Sequence, residues 1–450
     1  MTIILGIIAL SVIIIFHEFG HFIAAKLCKI EVDAFSLGMG PVLLHKKIRG
    51  TDFRLSLIPL GGYCALKGEN AFQNAIDADL SEIPKEKGTF YENPLKRIFI
   101  AFSGPFANVV FSVIAYFFIA LIGYSYQTTG TKIILANEIY PEIPSAAEQA
   151  GLRTGDEITA INGKNIDNFQ DMYTIIATNP NKQMDFEILR NNNTYHFLLT
   201  PQLEKSTGAG KIGVLSWTDP VIAEISPDSD AAKAGLKVND IIKKADNIEI
   251  TNTADFMKAI ENKRNVALTV ERNGNLIELN LPINYNQDNG GYITGISFPY
   301  KTVEVKANSF FSALTSGFKE TGENIAVTIK TLKLLFSGID LTNAVSGPVR
   351  ITLMLGDTAK AGFSAGLAEG IVSVLSFLAI ISISLFIMNL LPLPILDGGL
   401  ILFAFIEFVR GKGLKPKTIY QFQKIGIVLI ALLFIFAFSG DLRYLFFNGR

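Results

Sequence analysis

The chain has 450 residues, of which 49% are hydrophobic and 18% are charged, and its mean hydropathy is +0.35. This composition is too apolar for an ordinary soluble protein and too charged for one that lies entirely in a membrane. We therefore expect several membrane spans and at least one soluble domain. The net charge of −1 indicates no nucleic-acid partner. The two cysteines, Cys28 and Cys64, are too few for a disulfide framework and lack the spacing of a zinc site.

An apolar stretch, residues 3–27, predicts the first membrane span. No basic residue precedes it, and His17 and Glu18 interrupt it, so it does not have the pattern of a signal peptide. Basic residues follow it, and such residues favour the cytoplasmic side of a membrane, which would place the N-terminus outside. These basic residues are Lys26, Lys29, Lys46, Lys47, Arg49 and Arg54.

Residues 17–21 read His-Glu-Phe-Gly-His, which is the pattern H-E-x-x-H. Positions i and i+4 of a helix share one face, so His17 and His21 can both bind one Zn²⁺. Glu18 then lies beside the metal, where it can accept a proton from water. The alternative is a helix end with two ordinary histidines. Because histidine and glutamate are costly inside a membrane, their presence there favours a function.

Residues 34–66 predict a membrane-associated β region rather than a span. Residues 53–60 partly alternate between apolar and polar and run into Gly61 and Gly62, which suggests a short β-ribbon with a tight turn. A ribbon beside the metal could offer its edge to an unfolded substrate, and we take Gly61 and Gly62 as candidate substrate-binding residues. An interfacial loop is the alternative.

The second span is predicted for residues 98–126, which contain no charged residue. Within it lies the run Ser-Gly-Pro-Phe-Ala-Asn at positions 103–108. Glycine permits close helix contact, proline kinks a helix, and asparagine can form a hydrogen bond across a helix contact. We interpret Gly104 and Pro105 as packing residues and take Asn108 as a candidate substrate-binding residue.

A soluble stretch from residue 128 to about residue 283 contains an internal repeat. Residues 146–158 and 231–242 share the pattern A-x-x-A-G-L, and the glycines of the two copies, Gly151 and Gly235, are 84 residues apart (235 minus 151). Sequence rich in strand-forming residues follows each copy. In the second copy Asn239 stands where the first has Gly155.

This repeated pattern resembles the PDZ domains of bacterial proteases. The resemblance implies two PDZ-like α/β domains, at residues 128–205 and 206–284, which could capture peptide ends by strand addition. The second copy departs more from the pattern, so its peptide groove is the less certain of the two. The alternative is that both copies are spacers or lids.

Residues 285–365 are expected to form amphipathic helices at the membrane surface. Apolar residues recur there at helical spacing with charged residues among them. Ser346, Gly347 and Pro348 then begin a second short helix, and neither helix is long enough for a clean span. The apolar residues are Phe310, Phe311, Leu314, Phe318, Ile325, Ile329, Leu332 and Leu335.

The third and fourth spans are predicted for residues 371–396 and 419–438. Pro392 and Pro394 break the third span near its end, and Asp397 follows the break. If this span starts outside, Asp397 reaches the cytoplasmic side.

The cytoplasmic side, where Asp397 is expected, is also the depth inferred for His17 and His21. Two histidines and a carboxylate, with water at a fourth position, form a catalytic zinc pattern. The alternative for Asp397 is a helix-end residue that faces water.

Together these motifs resemble the site-2 protease family of intramembrane zinc metalloproteases, and within it the regulator of sigma-E protease type with tandem PDZ domains. The matching segments are residues 17–21, 61–63, 103–108, 346–348 and 389–399. The resemblance implies that His17, His21 and Asp397 bind zinc and that Glu18 is the catalytic base. It also implies that Asn389, Pro392 and Pro394 hold the substrate near the metal. One departure is Leu400, where many relatives have histidine, which affects only local packing or tuning of the site.

The resemblance further implies the partners and the location of the protein. A single-pass membrane protein, already shortened by an upstream protease on the outer side, would be cut within its membrane segment. Anti-sigma factors and remnant signal peptides are the implied substrates, and the PDZ pair would exclude uncut ones. The protein would lie in the bacterial inner membrane, with both termini and the PDZ domains on the periplasmic side and the active site near the cytoplasmic side.

We therefore expect a polytopic α-helical membrane protein with four transmembrane helices, a membrane-associated β-hairpin and two inserted PDZ-like α/β domains. Residues 1–127 and 366–450 would form the membrane core. Two other functions are compatible with parts of the sequence. One is a proton-coupled transporter with a relay through His17, Glu18 and Asp397. The other is a catalytically silent PDZ scaffold.

Overall fold

The computed structural model describes residues 2–205, 207–286, 291–334, 347–443 and 446. The chain divides into two compact units. One contains residues 1–124, 305–333 and 341–449, and the other is formed mainly by residues 125–304. The sequence-based interpretations of Leu335 and Ser346 lie outside the described residues.

The first elements of the chain are two long helices with a hairpin between them. Asn93 caps the second long helix by accepting a hydrogen bond from the Leu95 amide, and Gly123, at φ +82°, ends it. This span therefore ends before the predicted residue 126, since the chain after Gly123 is extended. The elements are α1 (Thr2–Leu27), β1 (Val32–Ile48), β2 (Thr51–Leu66), α2 (Asn70–Asp77), α3 (Pro94–Ile122) and β3 (Tyr124–Thr128).

Strands β1 and β2 form the hairpin that the sequence predicts. Its turn lies at Arg49 and Gly50, whose φ angles are +48° and +89°. The prediction of a tight turn at Gly61-Gly62 is wrong, because both glycines lie inside β2. Residues 34–37 pair with both 52–55 and 62–65, so the ribbon folds back on itself into a small sheet.

The hairpin lies along α1. The Lys26 ammonium donates a hydrogen bond to the Thr51 hydroxyl (2.8 Å), and the Ser11 hydroxyl donates to the Pro59 carbonyl. Ser11 and Lys26 are 15 positions apart on α1, a distance of about 22 Å along a helix. The hairpin thus follows the first span from its C-terminal end to well inside it.

The first repeat contains a four-stranded antiparallel sheet in the order β6-β5-β7-β8. Its hydrophobic cluster includes Ile212 and partly buried Val214, which lie beyond the predicted domain boundary at 205/206. Its elements are β4 (Ile133–Leu135), α4 (Ala136–Ile139), α5 (Ala146–Gln149), β5 (Glu157–Ile161), β6 (Lys164–Asn165), α6 (Phe169–Ala177), β7 (Met184–Arg190), β8 (Asn193–Leu199), β9 (Gln202–Leu203), β10 (Gly210–Lys211) and β11 (Val214–Ser216).

The second repeat has the same arrangement, with the sheet order β14-β13-β15-β16. Partly buried Tyr292, Ile296 and Phe298 pack against its cluster, so its fold continues past the predicted end at residue 284. Its elements are β12 (Glu224–Ile225), α7 (Asp230–Lys233), β13 (Ile241–Ala245), β14 (Ile248–Glu249), α8 (Thr253–Ile260), β15 (Asn265–Arg272), β16 (Asn275–Pro282), β17 (Asn284–Asn286), β18 (Gly291–Ile293) and β19 (Ile296–Ser297).

Each repeat contains a buried ion pair at the same place. Arg190 Nε donates to Asp156 Oδ1 in the first repeat, and Arg272 Nε donates to Asp240 Oδ1 in the second, both at 2.6 Å. The substitution of Asn239 for glycine is tolerated because asparagine adopts the left-handed conformation more readily than most residues. Its φ is +71°, close to the +94° of Gly155.

The chain then returns to long helices. Among the described residues, four helices are long and apolar enough to cross a membrane: α1 from Gly6, α3, α11 (Leu367–Asn389) and α13 (Pro416–Arg443). The predicted third span is too long, because α11 ends at Asn389. The elements are β20 (Lys301–Val305), α9 (Phe310–Leu334), α10 (Pro348–Ala365), α11 (Leu367–Asn389), α12 (Asp397–Arg410) and α13 (Pro416–Arg443).

The amphipathic helix α9 makes its closest contacts with the bundle through small residues. Ala313, Gly317 and Thr321 are its buried residues, and a Cβ on Gly317 would lie 2.7 Å from the Val113 carbonyl of α3. Phe311 is 76% exposed. Phe311 therefore faces away from the bundle, as expected of a helix at a membrane surface, whereas Ile325 packs against the bundle.

Helix α10 is buried more deeply than expected, because the sequence predicted a helix at the membrane surface for these residues. Its Leu355 is buried in the same cluster as Ile13 of α1 and Ala379 of α11. A Cβ on Gly6 of α1 would lie 2.5 Å from the Thr352 side chain. This helix belongs to the helix bundle rather than only to its surface.

Candidate active site

Three side chains from two distant parts of the sequence meet at one point. His17 and His21 lie one turn apart on α1, and Asp397 is the first residue of α12. Their potential ligand atoms all lie within 4.8 Å of one another. The side chains are 11%, 13% and 14% exposed, so this cluster is nearly closed to solvent.

The spacing of the donor atoms fits zinc. His17 Nε2 lies 3.1 Å from His21 Nε2 and 3.1 Å from Asp397 Oδ2, and His21 Nε2 lies 3.5 Å from Asp397 Oδ1. Zn–N bonds of 2.0–2.1 Å at a tetrahedral angle separate two ligand nitrogens by about 3.3 Å. Two imidazoles and a carboxylate are also the donor set of catalytic zinc sites, which keep a fourth position for water or substrate.

The second ring nitrogen of His21 fixes its orientation. Nδ1 lies 2.7 Å from the carbonyl oxygen of Ile100 in α3. A carbonyl only accepts hydrogen bonds, so Nδ1 carries the proton and Nε2 keeps the lone pair that a metal requires. Sequence reasoning missed this contact because the acceptor is a backbone atom.

Asn108 supports His17 in the same way. Its side chain is buried and lies 3.2 Å from His17 Nδ1, and its Oδ1 has no hydrogen-bond partner among the described residues. With Oδ1 turned toward Nδ1, the amide accepts the imidazole proton and leaves Nε2 free for metal. The fully buried side chain of Asn108 thus contacts His17, and the interpretation of Asn108 as a substrate-binding residue stays a prediction.

Gly104 allows α3 to pass directly behind the histidines. A Cβ at this position would lie 2.2 Å from His21 Nε2. Gly20 plays the complementary role on α1, where a Cβ would lie 2.3 Å from the Ser103 carbonyl. The packing role expected of Gly104 is thus specific, since the absence of its side chain makes room for the His21 imidazole.

Gly398 and Gly399 allow the tight turn that positions Asp397 beside the two histidines. A Cβ on Gly398 would lie 2.3 Å from the Leu391 carbonyl, and one on Gly399 would lie 2.1 Å from the Leu393 carbonyl. The loop after α11 therefore folds tightly over the start of α12. The carboxylate of Asp397 in the first turn is also favoured by the helix dipole.

Glu18 and the two glycines of β2 lie together beside the cluster. Glu18 is partly exposed, and its Cγ is 3.9 Å from the position that a Cβ on Gly62 would occupy. A Cβ on Gly61 would lie 3.3 Å from Ile14 of α1. Gly62 therefore lies beside Glu18, and Gly61 lies against α1 one helical turn before Glu18.

The candidate residues at the end of α11 and in the loop after it differ in their exposure and contacts. Asn389 ends α11, is partly exposed, and forms no side-chain hydrogen bond within the described parts of the chain. Pro392 is exposed, whereas Pro394 packs on α13, where it lies 3.2 Å from the Cβ position of Gly426. Leu400 packs against the cluster that contains Ala24, which accounts for an apolar residue at this position.

A second buried polar cluster joins the start of α3 to the end of α12. The guanidinium of Arg97 forms an ion pair with the carboxylate of Glu407, and both side chains are under 10% exposed. Lys85 Nζ lies 2.7 Å from the other oxygen of Glu407. Sequence reasoning did not find this pair, because residues 310 positions apart leave no local signal.

A His₂Asp cluster with a neighbouring glutamate, set among helices long enough to cross a membrane, defines a membrane-embedded metalloprotease. The model of Peptidase family M50 matches residues 5–433, and the chain belongs to that family.

Named relatives agree with this assignment. A Treponema pallidum protein named "Putative zinc metalloprotease" is 38% identical over 99% of this chain and its own full length. The regulators of sigma-E protease of Haemophilus influenzae and Escherichia coli (RseP) are 32% and 29% identical, each over 97% of both chains. The protein is thus an intramembrane zinc metalloprotease of the kind that acts in regulated intramembrane proteolysis, which disfavours the transporter and the silent scaffold.

Proposed function

We propose that His17, His21 and Asp397 bind the catalytic zinc and that Glu18 is the general base. The observation that carries this assignment is the convergence of Asp397 on two histidines that precede it by more than 370 residues, at distances of 3.1 and 3.5 Å. When bound, zinc supplies a Lewis acid that polarises a peptide carbonyl and lowers the pKa of water.

The protein's own residues move the proton. Glu18 accepts a proton from the attacking water and then donates it to the leaving amine. Ile100 and Asn108 hold the imidazoles so that both Nε2 atoms face the reaction centre. Because the cluster is nearly closed to solvent, these electrostatic interactions are stronger than they would be in water.

The substrate is proposed to be the membrane segment of a single-pass protein. The backbone N–H and C=O groups of such a helix are already bonded to one another. The helix must therefore unwind before one of its peptide bonds can reach the site. Asn389, whose amide has no partner among described residues, can bond to unwound backbone. Pro392, Pro394, Gly61 and Gly62 would shape the same path, and an anti-sigma factor or a remnant signal peptide fits this class.

We propose that the two repeats are PDZ-like domains on the outer side of the bacterial inner membrane. The basic residues after α1 favour the cytoplasmic side for that end of the helix, which supports a site near the cytoplasm. The repeats would then exclude substrates that an upstream protease has not yet shortened. An intact substrate with a long outer domain that is cut as fast as a shortened one would contradict this role.

The test measures zinc content and cleavage of a transmembrane substrate. We expect one zinc per chain in the wild type and in Glu18→Gln, with cleavage only in the wild type. His17→Ala should lose both zinc binding and cleavage. His196→Ala is the matched control, because this histidine is 59% exposed and far along the chain in the first repeat. Cleavage that survives Glu18→Gln would overturn the assignment of the base.

A further inference from the structure

A cavity of about 160 Å³ lies between helices α3, α9 and α11 and the segment that joins β20 to α9. It is separate from the candidate active site. Tyr116 in its wall and Gly104 behind His21 are 12 residues apart on α3 (116 minus 104), a distance of about 18 Å along the helix. The cavity has room for about ten water molecules. The polar side chains in its wall are those of Tyr116, Lys306, Ser312, Ser316, Glu320 and Ser376.

The protein itself does not pair these polar side chains. Five of them, all except Lys306, carry a hydroxyl or carboxyl group, and none of the five makes a side-chain hydrogen bond within the parts of the chain that the structure describes. Other serines of long helices behave differently. The hydroxyls of Ser112, Ser364 and Ser384 each donate to the carbonyl four residues earlier. Because polar groups that are withdrawn from solvent need partners, the cavity suits a polar occupant.

Glu320 gives the cavity a negative side. It is partly buried, and burial together with the neighbouring Glu323 raises the pKa of its carboxyl above the ordinary 4.5, although Lys319 acts in the opposite direction. The phenol of Tyr116 lies close enough to interact electrostatically with this carboxylate. A positive charge nearby favours the ionised form of a carboxyl group, so a cation in the cavity would offset the cost of burial.

Lys306 gives the cavity a positive side. Its stem packs over the end of α3, where a Cβ on Gly123 would lie 3.0 Å from Lys306 Cβ and Cγ. The Ala307 amide donates to the Ala120 carbonyl (2.8 Å), which holds this segment against α3. The Lys306 ammonium forms no ion pair with a carboxylate of the described residues. Ser312, which also lines the cavity, lies in the first turn of α9, where the helix dipole favours an anion.

The polar groups on α9 lie along one face of this helix. Ser312, Ser316 and Glu320 follow one another at intervals of four residues, and each interval rises about 6 Å. A glutamate side chain in a helix points back toward the N-terminus, so the Glu320 carboxylate lies near Ser316. The negative side of the cavity is therefore about one helical turn from Ser312.

The aromatic side chains of α9 indicate the depth of the cavity in the membrane. Phe311 and Phe318 are 76% and 62% exposed, and Phe310 packs edge-on against Phe117 of α3, with ring centroids 5.1 Å apart. The apolar side chains of an interfacial helix reach the boundary between lipid headgroups and acyl chains. The polar face of α9 therefore lies at the level of the headgroups, which makes a lipid the nearest available ligand.

We propose that this cavity binds the headgroup of a phospholipid that carries both a phosphate and a primary amine, as phosphatidylethanolamine does. The ammonium group donates hydrogen bonds to the Glu320 carboxylate and to the hydroxyls of Ser316 and Ser376. The phosphate accepts hydrogen bonds from Lys306 and Ser312. A trimethylammonium headgroup has no N–H donor, so it would leave the carboxylate and the hydroxyls without partners. The bound lipid links α9 to α3 and α11.

The test uses the full-length protein in detergent micelles and native mass spectrometry, which counts the lipids bound to each molecule. The binding constant of the first lipid is measured for phosphatidylethanolamine, phosphatidylcholine and phosphatidylglycerol with identical acyl chains. We expect phosphatidylethanolamine to bind on the order of tenfold more tightly than the other two, as hydrogen bonds between charged groups imply. Equal affinity for the three lipids would overturn the inference and leave the cavity to water.

Glu320→Gln tests the site of the amine. This substitution keeps the shape of the side chain and removes its charge, so the affinity for phosphatidylethanolamine should fall to that for phosphatidylcholine. Glu323→Gln makes the same change of charge at an exposed residue of α9 that does not line the cavity, and it should leave the preference unchanged. Equal effects of the two substitutions would contradict the proposed site.

Lys306→Met tests the site of the phosphate. All three lipids have a phosphate, so their affinities should fall by a similar factor while the preference for the amine remains. Lys319→Met, at an exposed residue outside the cavity, is the control and should change no affinity. A loss of the preference in Lys306→Met would overturn this placement of the two charges.

Cleavage of a transmembrane substrate shows whether each variant is folded. Because the cavity is separate from the metal cluster, Glu320→Gln should keep its cleavage activity. If Glu320→Gln does not fold, Ser376→Ala replaces it, and the loss of one neutral acceptor should reduce the preference by about threefold. An unchanged preference in Ser376→Ala would then contradict the inference.

Discussion

The imidazole of His21 touches the backbone of a neighbouring helix at a glycine. Because a Cβ on Gly104 would lie 2.2 Å from His21 Nε2, Gly104→Ala should displace this ligand. We expect loss of most cleavage activity and a large loss of zinc affinity, both measured on purified protein.

Gly322 of α9 provides the control for that substitution. A Cβ there meets nothing within 4 Å, and alanine is favoured over glycine in a helix by up to about 1 kcal/mol. Gly322→Ala should therefore keep full activity. If both variants behave alike, the contact between Gly104 and His21 is not important.

Asn108 is expected to act through His17 rather than on the substrate. Asn108→Leu keeps the branched shape and the number of heavy atoms of the side chain but removes the acceptor for His17 Nδ1. Loss of such a contact commonly lowers metal affinity or activity by about 10- to 100-fold. Zinc affinity from competition with a chelator should fall in step with activity, while the Michaelis constant for substrate stays the same. A change in the Michaelis constant alone would instead indicate direct substrate contact.

At the scale of elements, the Arg97–Glu407 pair fastens α12 to α3. Removing one partner of a buried pair costs about 3–5 kcal/mol when the other charge is left unpaired. Without Arg97, the Glu407 carboxylate keeps only its contact with half-exposed Lys85, so we expect a smaller cost. Arg97→Leu should therefore loosen α12, whose first residue is Asp397. Hydrogen exchange over residues 397–410 and zinc content would both report this change.

The double variant Arg97→Leu/Glu407→Leu tests whether the charge left at Glu407, rather than the loss of the Arg97 side chain, causes the effect. It removes both buried charges, and such replacements are often neutral or stabilising. We expect it to recover much of the zinc content lost in Arg97→Leu. Lys96→Met is the surface control, because its pair with Glu92 is partly exposed and worth less than about 1 kcal/mol.

The Asp240–Arg272 pair makes the second repeat sensitive to acid. Burial alone would raise the pKa of the Asp240 carboxyl. Hydrogen bonds from Arg272 and from the Lys237 amide outweigh burial and lower the pKa from its ordinary value of 3.8. A carboxylate with a lowered pKa stabilises the fold above the unfolded-state pKa, and this stability is lost as the pH falls through the folded-state value.

Hydrogen exchange of β13 and β15 in the full-length protein tests this expectation. Protection should decrease as the pH is lowered below about 4. Asp240→Asn, which cannot titrate, should show lower protection at neutral pH and no such decrease. An identical pH dependence in wild type and variant would exclude this pair as the cause.

At the scale of the whole molecule, a buried carboxylate ties the last membrane helix to the bundle. Asp441 of α13 accepts hydrogen bonds from the Gly347 and Val349 amides at the start of α10, each at 2.9 Å. This caps α10 from another helix, and loss of a cap costs about 0.5–2 kcal/mol. Asp441→Ala should therefore increase hydrogen exchange both at the start of α10 and at the end of α13.

Ser439 supplies a control on the same helix. Its hydroxyl donates only to the Phe436 carbonyl within α13. Ser439→Ala should leave exchange at α10 unchanged. Equal effects of the two substitutions would mean that Asp441 does not join the helices.

Features that depend on local sequence were predictable. The H-E-x-x-H helix follows from a spacing of four residues, the four spans follow from runs of apolar residues, and the repeat follows from two matching Gly-Leu pairs. Each signal arises within one helix turn, one span or one domain. The ends of α3 and α11 were set too late, because apolar residues continue past Gly123 and Asn389 where the helices stop.

Features that depend on contact between distant segments were not predictable. The ion pair between Arg97 and Glu407 and the contact of His21 with the Ile100 carbonyl form only in the folded protein, and neither leaves a periodic pattern in the sequence. Asn108 shows the difference clearly. Its residue type indicated a hydrogen bond within the membrane, but only the tertiary structure gives the partner of that bond, which is His17 Nδ1.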